Sequence, residues 1–307
     1  MATQLVLGTF TPSVLLAVAR RLGGLDAHGL GVDEVPVPSS PAQFRSLLAG
    51  ELDAVFTSPD NVVAYRFCPD NPLGATADVA IVSAVDRGMG LALYGRSPSA
   101  DTADRLRGAT VGVDVPTSGF ALALYALAES LGLGRDDYEV VALGSTPQRL
   151  EALLEGRCDA TMLNAGNELV AEQAGCVRLA GVAEVCPPYL GTVLGVAGTQ
   201  HLDPARALSE ALRQTAREIC SGRADDVAAE EAEAVLGLPE DLALRYVDRL
   251  KDAGEGLVVD DVTDLEALAT VVSLRRHYLP CRVDGVDVLE RALDATSGLL
   301  ASRPTVV

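Results

Sequence analysis

Residues 43–61 read QFRSLLAGELDAVFTSPDN, and residues 149–167, 106 positions further on, read RLEALLEGRCDATMLNAGN. Leu47/Leu153, Leu48/Leu154, Gly50/Gly156, Asp53/Asp159, Ala54/Ala160 and Asn61/Asn167 are shared. Carried backwards without a gap, the same offset pairs Ser39 with Ser145, Pro41 with Pro147, Val35 with Val141, Leu25 with Leu131, Leu16-Ala17 with Leu122-Ala123, and Thr11 with Thr117. That makes thirteen identities between 4–61 and 110–167, well above what this composition gives by chance. Two copies at so long a period exclude a solenoid and imply a two-lobed molecule.

Each copy has the same local grammar. In the first, Gln4–Gly8 reads as a strand, Val14–Leu22 as an apolar helix and His28–Val37 as a second strand. Ser39/Ser40 with Pro41 start a helix that ends at Gly50, and Ala54–Phe56 is a buried strand. In the second, Thr110–Val113, Gly119–Leu131, Tyr138–Leu143, Pro147–Leu154 and Ala160–Leu163 repeat the order. Such β-α-β-α-β units build parallel sheets covered by helices. A short helix is expected within 96–107. From Asp203 onward helices are expected, the last over Val286–Leu300. The reading is an α/β chain of two lobes: 1–90 plus 196–307 (discontinuous, with a helical tail) and 96–190. Hinge crossings fall near 88–96 and 190–198.

Composition narrows the function. The 307 residues suffice for two cores, and a net charge of −19 (24 Lys+Arg against 43 Asp+Glu) disfavours nucleic acid and anionic membranes as partners. The first residues lack the basic and apolar regions of a leader, so a cytoplasmic location is expected, or an extracytoplasmic one if a leader has been removed. No membrane span is expected. The six cysteines form no C-x-x-C pair and read as reduced structural thiols, and His28, His201 and His277 have no metal-ligand spacing. No metal or cofactor is expected.

The segments LRGATVGVDVPTSG and YEVVALGSTPQRLEALLEGRCDATML, with Leu47–Ala54 in the first copy, resemble the type 2 periplasmic-binding-protein fold. The similarity is greatest to the nitrate-, taurine- and sulfonate-binding proteins and the thiamine-pyrimidine synthase-like (NMT1/THI5-like) group. It covers roughly residues 1–220. It implies mixed, mostly parallel sheets flanked by helices, a cleft between lobes, a small-molecule ligand, and an ABC permease as partner if the chain is exported. The assembly implied is a monomer or a homodimer. The shared Gly and Asp residues read as scaffold. The synthase's cysteine-rich cluster is missing, and Thr9–Ser13 lacks a nucleophilic cysteine.

In open α/β sheets ligands bind beyond the carboxyl ends of strands, where helix N-termini present free N–H groups. The candidate contacts are therefore Thr9, Phe10, Thr11, Ser13, Ser39, Thr57, Ser58 and Asn61 in lobe one. Arg87 and Tyr189 lie at the crossings, and Thr117, Ser118, Gly119, Phe120, Asn164 and Asn167 in lobe two. Arg87 is the expected guanidinium partner for a carboxylate or sulfonate. Phe10, Phe120 and Tyr189 are candidates to stack on a flat ligand. Two functions stay open. One is a solute-binding protein for an organic, carboxylated or otherwise anionic molecule. The other is a cytoplasmic, cofactor-independent lyase, dehydratase or decarboxylase acting on such a molecule, with no catalytic residue assigned.

Overall fold

A computed structural model of the chain describes residues 2–96, 106–260 and 263–301. The body of the helix expected within 96–107 lies outside them. The first half runs β1 (Thr3–Thr9), α1 (Val14–Arg21), α2 (Gly24–Ala27), β2 (Leu30–Pro36), α3 (Ser40–Ala49), β3 (Ala54–Thr57), α4 (Pro59–Phe67) and β4 (Val79–Asp86). The chain crosses through β5 (Ala92–Gly95) and repeats the plan. There follow β6 (Thr110–Val113), α5 (Gly119–Ser130), β7 (Glu139–Ala142), α6 (Thr146–Glu155), β8 (Ala160–Leu163), α7 (Asn167–Gln173), β9 (Val177–Gly181) and α8 (Val182–Val185). It returns through β10 (Thr192–Ala197). The tail is α9 (Leu202–Cys220), α10 (Asp225–Leu236), α11 (Glu240–Lys251), α12 (Leu265–Tyr278) and the hairpin β11 (Arg282–Val283)/β12 (Val286–Asp287).

Two five-stranded sheets result, ordered β2-β1-β3-β10-β4 and β7-β6-β8-β5-β9. In each, the first three strands are parallel and the crossing strand lies antiparallel beside the third. The two sheets thus exchange one strand apiece. β3 and β8 are buried throughout, which is why they read as uninterrupted short apolar runs.

The repeated letters are scaffold. Gly50 and Gly156 end α3 and α6 at φ 74° and 77°, a conformation that a side chain would strain. Asp53 accepts from Val6 N–H at 2.8 Å, and Asp159 accepts from Thr110 N–H at 2.9 Å. Each carboxylate ties the turn before the third strand to the first strand. Asp53→Ala is expected to cost about 1–3 kcal/mol by stranding the half-buried Val6 N–H, measured by urea unfolding.

The register of the repeat is not uniform. From β2 to β3 the offset is 106, since Gly8 pairs Val35 and Val55 while Gly112 pairs Val141 and Thr161. Those pairings equate Gly8 with Gly112, an offset of 104. The copies of α1 begin after Ser13 and Ser118, an offset of 105. The second copy therefore carries one extra residue before its first helix and one after it. The coincidences at Thr11/Thr117 and Leu16-Ala17 are not structural equivalences.

The helix expected over Val286–Leu300 does not form. Asp284 and Gly285, at φ 51° and 82°, make the tight turn of the β11/β12 hairpin. The turns that follow bury Leu289, Ala292 and Leu299. The chain then pairs with Ile81, whose N–H donates to Leu299 O and whose carbonyl accepts from Ala301 N–H. The apolar spacing was real, but it serves an edge strip instead of a helical face.

Candidate functional site

The carboxyl ends of β1, β3 and β4 face those of β6 and β8 across a cleft enclosing about 110 Å³ of free space. A single water needs about 10–15 Å³ on this measure, so the space suits a small organic molecule. Thr9, Phe10, Thr11, Ser13, Thr57, Ser58 and Asn61 line one wall, and Ser118, Gly119, Phe120 and Asn164 the other. The lobes approach closely here. A Cβ on Gly119, the first residue of α5, would lie 2.2 Å from Ser58 Oγ and 2.8 Å from Asp60 Cβ.

Five expected residues lie outside the lining. Arg87 follows the last residue of β4 and does not line the cleft, although its neighbours Val85 and Asp86 do. Its guanidinium reaches Leu257 O at 3.5 Å and the field of Cys220 instead. Ser39 caps α3, accepting from Ala42 N–H at 3.4 Å. Thr117 precedes Ser118, the residue that caps α5, and its carbonyl accepts from Arg275 at 2.7 Å. Asn167 donates to Asn164 O at 3.0 Å and Thr11 Oγ1 at 3.4 Å, one layer behind the wall. Tyr189 is buried in the hydrophobic core.

The cleft's charge comes from Asp86, Asp114 and Arg149. Arg149 is 2% exposed. It donates to Gly144 O (2.5 Å), Thr146 Oγ1 (3.0 Å) and twice to Met162 O (3.2 and 3.3 Å). Every acceptor is a neutral oxygen. Burial draws its pKa down to about 10, opposed by the negative field of Asp114. Asp114 itself accepts from Ser40 N–H at 3.1 and 3.3 Å across the cleft, and burial raises its pKa. Arg149 was legible in principle. It falls in helical phase with the buried Thr146, Ala152 and Leu153, where a charged residue needs a reason. Its counterpart in the repeat, Gln43, reaches Phe56 O and Gly8 O at 3.0 and 3.1 Å.

Other lining residues come from parts of the chain that strand-end reasoning does not reach. Tyr246 and Leu250 arrive on α11, and Leu257 on the segment pairing with Asp86. Met89 and Ala165 face the cleft at φ 53° and 55°, joined by a bond from Ala165 N–H to Met89 O (3.0 Å). Left-handed non-glycine residues cost about 1–3 kcal/mol and cluster at functional sites.

Two buried carboxyls titrate late. Burial raises Asp86 to about 6, although Thr192 and Gly88 N–H (2.8 Å) hold its charged form. It also raises Glu168, fully buried and 3.9 Å from Arg249, to about 8. The native state keeps protons that the unfolded chain releases near pH 4. Stability from these groups is therefore complete below that pH and is lost as pH rises through 6 and then 8. Asp86 alone corresponds to about 3 kcal/mol. Asp86→Asn is expected to lessen the slope of the stability profile between about pH 4 and 6, and Glu168→Gln between about pH 4.5 and 8, in denaturant titrations at each pH.

No protein-family profile matches the sequence, and no curated protein matches it. Solved structures do. The alkanesulfonate-binding protein SsuA from Xanthomonas axonopodis pv. citri, bound to MOPS, is 18% identical with a TM-score of 0.72, over 94% of this chain and 97% of that one. The periplasmic nitrate-binding protein NrtA from Synechocystis PCC 6803 is 12% identical (TM-score 0.69; 94% and 86% covered). A Candida albicans gene product with the generic periplasmic binding protein fold is 14% identical (TM-score 0.67; 95% and 94% covered). At these identities the likeness is one of fold.

Proposed function

We propose that this chain, with its two-lobed type 2 periplasmic-binding-protein-like fold, binds a small carboxylated or otherwise anionic organic molecule in the interlobe cleft. The observation that carries the reading is Arg149, a guanidinium buried on the cleft wall whose acceptors among the described residues are all neutral oxygens. Removing it from water is costly, and a ligand anion would offset that cost. Nearby, the hydroxyls of Ser58 and Ser118 are buried with no hydrogen-bond partner among the described residues, at the starts of α4 and α5. Helix N-termini favour negative charge.

Asp86 and Asp114 add a restriction. A ligand that is negative throughout would meet them unfavourably, so the favoured ligand carries its anion at one end and donors at the other. The neighbours named as sulfonate- and nitrate-binding proteins support cargo binding. A permease would be the partner of an exported form. Calorimetry with acetate, succinate, benzoate, methanesulfonate and taurine is expected to find saturable one-site binding for at least one anion. Binding confined to neutral or cationic molecules would overturn the reading.

One observation favours the second reading, a cofactor-independent lyase. Asp86 titrates near 6 on the cleft wall, in the range suited to a general acid or base. Recovery of the bound molecule unaltered after long incubation would remove it.

A further inference from the structure

Away from the cleft, at the far end of α4, three donor atoms converge from two distant parts of the sequence. Cys68 caps the C-terminus of α4, and Cys281 follows α12 just before the β11/β12 hairpin. Both thiols are buried, both cysteines are unbridged, and Asp70 stands exposed beside them. The two sulfurs and one Asp70 oxygen all lie within 4.8 Å of one another, with Cys281 Sγ 3.9 Å from Asp70 Oδ1.

We propose that Cys68, Asp70 and Cys281 form a binding site for a thiophilic divalent cation of the zinc class. Small side-chain movements bring donors this close onto one metal with bonds of about 2.0–2.3 Å. Two sulfurs and one carboxylate suit zinc or cadmium over magnesium or calcium, which take oxygen donors. Binding releases one proton from each thiol as two metal–sulfur bonds form. Burial pushes both thiols up, and Asp70 and, at Cys281, Asp287 add to this; the positive charge of Arg275 works the other way and favours both thiolates. The exposed Asp70 edge leaves the fourth position to water. A disulfide would use only the sulfurs and leave the placement of Asp70 unexplained.

The site would tie the C-terminal segment to α4, the helix whose first turn walls the cleft. Its occupancy would thus secure Arg275 near the carboxylate that it grips in that turn. The inference does not depend on the identity of the cleft ligand.

The test uses the full-length protein, reduced and stripped with a chelator, then titrated with cadmium ion alone. Thiolate-to-metal charge-transfer absorbance should saturate at one equivalent, with a rise in thermal midpoint. Cys281→Ser and Cys68→Ser should each lose the band. The exposed Asp70→Asn, which leaves the packing intact, should weaken affinity about tenfold. Cys220→Ser should change nothing. Absence of the band at saturating cadmium, a band that survives Cys281→Ser, or a Cys68–Cys281 disulfide found in unreduced protein would each overturn the proposal.

Discussion

Replacing Arg275 with leucine is expected to destabilise the protein by about 3–5 kcal/mol, the largest single effect outside the cores. Arg275 and Asp60 are 5% and 1% exposed, and two bonds of 2.7 Å join them in a parallel fork. A third, also 2.7 Å, runs from Arg275 to Thr117 O in the other lobe. Removing the guanidinium leaves a buried carboxylate at the first turn of α4 with no cation and leaves a carbonyl without its donor. The double variant Arg275→Leu with Asp60→Leu should recover much of the loss, because the penalty lies in the stranded charge and not in the absent attraction. Urea unfolding of the two single variants and the double variant measures this directly. A single-variant loss below about 1 kcal/mol would mean that water reaches Asp60 when its partner goes.

The second large effect concerns binding. Arg149→Gln installs the residue that the first copy of the repeat already uses at the equivalent place. Gln43 shows that an amide there can bridge two strand carbonyls, so the substitution should preserve the fold. It removes the cation from the cleft wall. Affinity for a carboxylated ligand should fall about 100-fold, near 2.8 kcal/mol. Arg87→Ala, by contrast, should leave affinity unchanged, since that side chain points to the tail. Equal losses in both variants would show that long-range charge, not contact, sets affinity.

The sequence was most informative where geometry is local. Caps at Ser39 and Ser145, the glycines ending α3 and α6, and turn aspartates obey rules that a short window contains. Strand ends followed from the same windows, and eleven of the sixteen candidate residues line the cleft. Two kinds of residue escape a short window. Arg87 and Thr117 lie in turns beside the cleft but outside its lining, where the Arg87 guanidinium reaches Leu257 O and the Thr117 carbonyl accepts from Arg275. Tyr246, Leu250 and Leu257 come from a tail whose docking no periodicity encodes. Arg149 lay between these kinds, marked only by a charge in phase with a buried face.

The exchanged strands also constrain how the molecule is made. β4, complete at residue 86, has no neighbour in its sheet until β10, which ends at residue 197, lies between it and β3. The second sheet has all its strands by residue 181. During synthesis, the half begun first is thus the half finished last. It waits with two strand edges exposed for about a hundred residues, some 5–20 s at common elongation rates. Open edges of that kind invite pairing with other chains. A nascent chain stalled between residues 100 and 180 should therefore be the form of this protein that most needs a chaperone.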